Sequence, residues 1–369
     1  MADPRLVAYL DACDADALVT ADPGLVRMLA GHATEIGFGP SPFQLPAVVV
    51  AARDAPVQLA CSADEAPEGE GVHAYEGFTT APIDPLAGAL EALERWVVAA
   101  EADPARTLVD SANVPVGLMP AIDGAIAAPI AGLAALTAVK TEAEVAAVEA
   151  ALRLCEAGHA AARAATREGA GELELWAAVA AAVEAAAGAR TTVIADLLTG
   201  PRTEEVGGPP VERSLASGEL VLADIVPRLD GIWGDSCATR ALGDPPPEAV
   251  EMHAVANRAL EAGLAALRPG AKAGEVDGAV RAEVESSGHS YPHHTGHGLG
   301  FRWHEEPRII PGGPTVIEPG MVVALEPGAY RGGLGVRIEV VSVVTAGGPR
   351  VLSRHPLGLD AGATVEPAA

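Results

Sequence analysis

The sequence predicts an α/β chain of two domains: an α/β domain over residues 1–137 and a larger α+β domain over 138–369 built from two related halves. Three observations predict it. Apolar strand-like runs alternate with helical patterns in the first third of the chain. A turn-rich, nearly uncharged stretch from Val114 to Leu136 then gives way to a capping box at Thr141 and Glu144. Finally, Gly171-Glu172-Leu173-Glu174, leading through a helical segment to Gly188, is echoed by Gly274-Glu275-Val276-Asp277 leading to Gly288.

In the first domain, strands are expected at Ala17-Leu18-Val19-Thr20, Ala47-Val48-Val49-Val50-Ala51 and Val57-Gln58-Leu59-Ala60, and a helix carries Leu86, Leu90, Leu93 and Val97. Beyond the boundary, Val145, Val148, Leu152 and Cys155 step by three and four, the stripe of a long helix buried on one side. After the repeated helices come strand-like segments from Leu220 to Val226, Met321 to Leu325 and Val336 to Val344.

Composition narrows the function. The 369 residues are 49% apolar but only 3% aromatic, so the cores are expected to be Ala, Val and Leu. Fifty acidic against 24 basic residues leave −26, a surface that repels phosphate backbones and anionic lipid, so neither nucleic acid nor membrane is an expected partner. Cys13, Cys61, Cys155 and Cys237 lack the short spacings of zinc or redox motifs and suit buried thiols. No secretory pattern follows Met1-Ala2-Asp3-Pro4-Arg5, and Pro129 and Gly132 break the longest uncharged stretch; a cytoplasmic protein is expected.

Carboxylates intrude where strands should be apolar: Asp224 in Leu220–Val226, Glu326 after Val322-Val323-Ala324-Leu325, and Glu339 in Val336–Val341. Burying them ionised is costly without a cation or several donors. A hairpin turning at Leu229-Asp230-Gly231 would set Asp224 opposite Asp235, and one turning at Gly332-Gly333 would set Glu326 opposite Glu339. Four converging carboxylates call for about two divalent cations. His297 in the glycine-bounded run from His293 to Gly300 offers an imidazole ligand, and His304 follows. Asp230, Glu305 and Glu306 are better explained as a turn residue and outlying acids.

Five separated motifs resemble the metallopeptidase superfamily with the pita-bread fold, which contains aminopeptidase P, prolidase, methionine aminopeptidase and the metal-free creatinases. They are Gly218-Glu219-Leu220 leading to Asp224; Gly231-Ile232-Trp233-Gly234-Asp235 with Thr239-Arg240; His293 to Gly300 with His304-Glu305-Glu306-Pro307; Pro319-Gly320-Met321 with Glu326-Pro327-Gly328-Ala329-Tyr330; and Gly335-Val336-Arg337-Ile338-Glu339. The leading domain, with Asp16–Thr20 and Leu25–Gly31, is similar to that of the creatinase, prolidase and aminopeptidase P branch.

The resemblance implies that Asp224 binds one metal, His297 and Glu326 bind the other, and Asp235 and Glu339 bridge them. It further implies a Xaa-Pro aminopeptidase or dipeptidase in which a metal-bridging hydroxide attacks the peptide carbonyl. Glu326 would shuttle the proton, His293 and His304 would donate to the carbonyl or oxyanion, and Arg337 would orient Glu339 or a substrate carboxylate. Mn²⁺ suits an oxygen-rich site with one imidazole, while Co²⁺ and Zn²⁺ also fit. A homodimer is implied as well. In one place the pattern departs: a substrate-facing His usually stands 17 residues before the first Asp, where this chain has Gly207. A nearby His293 or His294 would compensate, or the substrate is a small amide, amidine or other C–N compound; a silent peptide-binding scaffold is the third alternative.

Overall fold

The structure, a computed structural model, describes residues 2–34, 45–76, 84–99 (side chains to 96) and 103–359. The chain divides into two compact units, Met1–Thr137 and Ala138–Ala369.

The first unit runs α1 (Pro4–Ala12), β1 (Ala17–Thr20), α2 (Pro23–Ala30), β2 (Val48–Ala52), β3 (Gln58–Ser62), β4 (Val72–Tyr75), α3 (Pro85–Ala99), β5 (Thr107–Val109), β6 (Ile126–Ala127) and α4 (Ile130–Leu136). Its mixed sheet has the order β4-β3-β2-β1-β5-β6. Both faces are covered, so the strands are apolar throughout rather than alternating. Leu18, Val49 and Leu59 pack with Leu6, Leu10, Leu25 and Leu133 on one face, and Val19, Val48 and Val50 with Leu93, Trp96 and Leu118 on the other. Leu86 and Leu90 pack on that second core as expected; the Val97 side chain lies outside the described residues.

The second unit contains α5 (Glu142–Ala165), α6 (Glu172–Ala187), β7 (Val193–Thr199), β8 (Leu220–Leu229), β9 (Ile232–Trp233), β10 (Cys237–Ala241), α7 (Pro247–Ala266), α8 (Ala273–Ser286), β11 (Gly296–Gly298), β12 (Glu305–Ile309), β13 (Val322–Leu325), β14 (Gly328–Arg331), β15 (Leu334–Arg337), β16 (Val340–Thr345) and β17 (Gly348–Val351). The capping box at Thr141 and Glu144 opens α5. Each repeat motif starts the second helix of a pair, α6 or α8, and antiparallel strands follow. The pairs pack alike. Gly158 of α5 lets the backbone approach Val183 and Ile225, and Gly263 of α7 does so toward Val280 and Leu325, where an added Cβ would stand within 3.3 Å of those side chains.

Two expectations need correction. The segment Val336–Val344 is not one strand: β15 pairs with β14 in a two-stranded ribbon, whereas β16 belongs to the five-stranded sheet β12-β11-β13-β16-β17. Leu325 pairs with Val340 and Gly328 with Arg337, so one register runs through the break and sets Glu326 opposite Glu339 where the ribbon leaves the sheet. Asp224, by contrast, faces Cys237 rather than Asp235. The turn joining Leu229 to Ile232 is only Asp230-Gly231, both at positive φ (47° and 79°) as a tight primed turn requires, and this moves the register by two. Asp235 therefore lies diagonally from Asp224, still on the same face.

Candidate metal centre

All five expected ligands line one cavity of about 260 Å³, together with Asp196, Val206, Gly207, His293, His294, Trp303, His304 and Arg337. The two ribbons are stitched together by Thr239: its Oγ1 donates to the Arg337 carbonyl at 2.9 Å and accepts the Arg337 N–H at 3.0 Å. Next to it the Glu339 N–H donates to the Cys237 carbonyl at 2.9 Å. Because Cys237 faces Asp224, this seam brings the carboxylates of the two hairpins together.

His297 is oriented by its own strand. Its Nδ1 lies 2.9 Å from the Gly298 carbonyl, which can only accept, so Nδ1 carries the proton and Nε2 offers a lone pair. That Nε2 lies 3.6 Å from Asp235 Oδ2 and 3.7 Å from Glu326 Oε1. One donor atom each from Asp235, His297 and Glu339 falls within 4.8 Å of the others, and so do nitrogens of His294, His297 and His304. Asp224 Oδ1 and Glu339 Oε1 are buried without a hydrogen-bond donor. Carboxylate oxygens and an imidazole lone pair converging on one space fit a pair of divalent cations, which displace whatever protons the acids hold.

Electrostatics agree with that fit. Burial, and then the charges of Asp224 and Glu326, push Asp235 well above the usual carboxylate range; burial and then Asp235 and Asp224 do the same to Glu339. Burial lifts Asp224 to about 6, with Arg337 opposing and Asp196 adding to the rise. Glu326 goes the other way: burial would raise it, but His294, whose Nε2 lies 2.7 Å from Oε1, outweighs burial with help from His293 and Arg337 and holds it below the ordinary range. Burial drives His297 down to about 3 and His293 down to about 4.

The remaining candidates take definite places. His304 lines the cavity with its ring centre 3.9 Å from that of His297 and stacks on Trp303. In His293 both nitrogens are engaged: Nδ1 donates to the His294 carbonyl at 2.7 Å, leaving Nε2 to accept from the Tyr330 hydroxyl at 2.9 Å. It reaches a substrate oxygen only by changing that arrangement. Arg337, only 3% exposed, lines the cavity beside other acids than Glu339: its Nη2 lies 2.7 Å from Asp224 Oδ2 and 3.1 Å from Asp196 Oδ2, Nη1 donates to the Val206 carbonyl, and Nε lies 3.9 Å from Glu326 Oε2. Glu305 is paired with Lys140 away from the ligands, and Glu306 accepts from Thr315.

Sequence reasoning passed over Asp196. It faces Asp224 across β7 and β8, two carboxylates side by side that Arg337 bridges. The signal was present, since Asp196 interrupts the apolar run Val193–Leu198 as the other acids interrupt theirs. The loop carrying Gly207 is anchored by Glu172 of the repeat motif, which accepts from the Thr199 and Val211 N–H groups at 2.9 Å and pairs with Arg202.

Fold and site together define a class: a two-domain α/β protein whose second unit gathers carboxylates and an imidazole suited to a metal pair. The model of metallopeptidase family M24 matches residues 146–346, and the chain belongs to that family. It is 36% identical over 149 residues to a probable dipeptidase PepE of Mycobacterium bovis, and 38% identical over 142 residues to a Xaa-Pro dipeptidase of Lactobacillus helveticus. The first match covers 39% of this chain and 40% of the relative, the second 38% and 39%. The chain thus matches about two fifths of these curated relatives' lengths. Among solved structures, it resembles a Xaa-Pro dipeptidase from Bacillus anthracis (TM-score 0.79, 22% identity, 96% of this chain and 98% of the other). It also resembles the dipeptidase PepE from Mycobacterium ulcerans (TM-score 0.74, 27% identity, 96% of both).

Proposed function

We propose that the chain is a metal-dependent peptidase of the Xaa-Pro dipeptidase or aminopeptidase kind, with Asp224, Asp235, His297, Glu326 and Glu339 holding two divalent cations. The observation that carries this reading is the pair of donorless buried oxygens, Asp224 Oδ1 and Glu339 Oε1, in the cavity with the lone pair of His297 Nε2. When bound, the cations supply a nucleophile at neutral pH and polarise the scissile carbonyl. Glu326, kept ionised beside His294, accepts the proton and returns it to the leaving amine. His304 donates to the carbonyl oxygen as negative charge develops there, with His293 held in reserve by Tyr330. Arg337 holds Asp224 in place through Nη2, and its Nε, which has no hydrogen-bond partner, leaves a donor for a substrate carboxylate.

Mn²⁺ is the preferred metal for four carboxylates and one imidazole, with Co²⁺ and Zn²⁺ as alternatives. Peptide is the substrate, in keeping with the dipeptidases that the chain resembles. A cytoplasmic homodimer completes the reading: all four cysteines are free thiols, which suits a reducing compartment, and the dimer rests on resemblance alone. No helix among the described residues is long and apolar enough to cross a membrane.

The test is turnover of a mixed peptide library, including Pro in the second position, by protein reconstituted with each metal and by its Asp235→Ala variant. Cleavage by the parent and loss in the variant are expected. Equal products from both, or no cleavage with any of the three metals, overturns the reading.

A further inference from the structure

Gly207 does more than lack an imidazole. A Cβ built on it would stand 2.6 Å from Asp196 Oδ2, so a side chain here requires the Asp196 carboxylate to move from its present place. Asp196 keeps its place by accepting from the Gly208 N–H through Oδ1 at 2.9 Å and from Arg337 through Oδ2 at 3.1 Å. With its side chain 34% exposed, it is more open than Asp224 at 13% or Glu326 at 9%, and each of its oxygens retains acceptor capacity.

The exchange reverses the sign of the subsite. A neutral imidazole donates a hydrogen bond to a carbonyl, whereas a carboxylate only accepts and repels other oxygens. Counting Asp196, the cavity holds five carboxylates against one guanidinium, a formal −4 that two dications bring to zero. Arg337 is committed through Nη2 to both Asp196 and Asp224, so it joins these two carboxylates into one wall of the cavity.

We infer that Asp196, in the room left by Gly207, binds the free α-ammonium group of the peptide, so that the chain selects substrates with an unblocked amino terminus. The inference rests on the peptidase reading above. An aminopeptidase or dipeptidase cleaves one residue from that ammonium, which places it within a residue's length of the metal ligands, as Asp196 is placed across the strand pair from Asp224. A charge-assisted hydrogen bond between ammonium and carboxylate is the expected contact.

The test uses metal-loaded parent, Asp196→Asn and Gly207→Ala proteins on peptide pairs that differ only in N-acetylation. Asparagine keeps an acceptor for Gly208, so the loop is retained. The parent should favour the free peptide by about tenfold or more in kcat/KM, and both variants should lose most of that preference, the loss falling on KM for the free peptide. Calorimetric binding of free and N-acetylated amino acids, with metal content measured alongside, gives a second readout: the free form should bind the parent and be lost in the variants. A preference that survives Asp196→Asn overturns the inference and leaves the peptidase reading standing. Equal losses on free and blocked peptides with reduced metal content overturn it too, since they assign Asp196 a structural role. If the parent cleaves no peptide, the peptidase reading falls, and the calorimetric comparison alone decides for or against Asp196.

Discussion

His297 and the acids facing it have opposite protonation states before metal arrives, and this yields a measurable proton balance. The imidazole, driven down to about 3, carries no proton on Nε2 to lose at neutral pH, whereas Asp235 and Glu339, raised well above the carboxylate range, and Asp224, at about 6, hold protons that binding must displace. Calorimetric titration of metal-free protein in buffers of differing ionisation enthalpy at pH 6 should show release of about one proton or more, declining as pH rises through the carboxyl pKa values, with affinity strengthening in step. Zero release at pH 6 would contradict the protonated cluster. Glu339→Gln gives a companion result. The amide removes a buried acid whose ionised form the fold disfavours, so at pH 8 the metal-free variant should gain about 1 kcal/mol in thermal unfolding while losing metal. At this scale Asp224, Glu326 and Glu339 were legible because each charge interrupts an apolar run, while Asp235 was reached by hairpin spacing and His297 by its glycine-bounded histidine run. Asp196 obeyed the same rule and was missed only because no partner acid stands at hairpin distance from it.

Hairpin geometry decides which acids meet. Gly332 and Gly333 both sit at positive φ, 65° and 82°, so their ribbon closes on two residues and carries Glu326 and Glu339 at its base. Replacing either glycine by Ala should cost about 1–2 kcal/mol and weaken metal binding, because the ribbon must open to relieve the turn. Unchanged metal affinity in a destabilised variant would uncouple the turn from the site. The glycine pair made this register readable from sequence. The other ribbon's was read two residues out, because Asp230 at φ 47° is a non-glycine in a left-handed position that residue type alone did not reveal.

Across the second unit, Lys140 and Glu305 form a buried ion pair with side chains 1% exposed, tying the segment before α5 to β12. Lys140→Met should lower stability by about 3 kcal/mol by leaving Glu305 only the more distant Arg302, 3.8 Å away, among the described residues, and Lys140→Met with Glu305→Leu should recover most of that; equal melting temperatures for the single variant and the parent would refute the assignment. The two-domain α/β class was legible from alternation and the repeat. The splitting of Val336–Val344 between two sheets was not, because β15 and β16 share one apolar pattern and only their partners differ.

The seam between the ribbons joins Thr239 to Arg337, residues separated by 98 positions. A growing chain has Asp224 and Asp235 long before it has Glu326 and Glu339, and until the last ribbon docks those first two acids have no opposite wall. On the proposed ligand set, high-affinity cation capture becomes a late event in the life of each molecule, and a chain cut short before Gly332 should emerge from synthesis unable to charge itself with a metal pair.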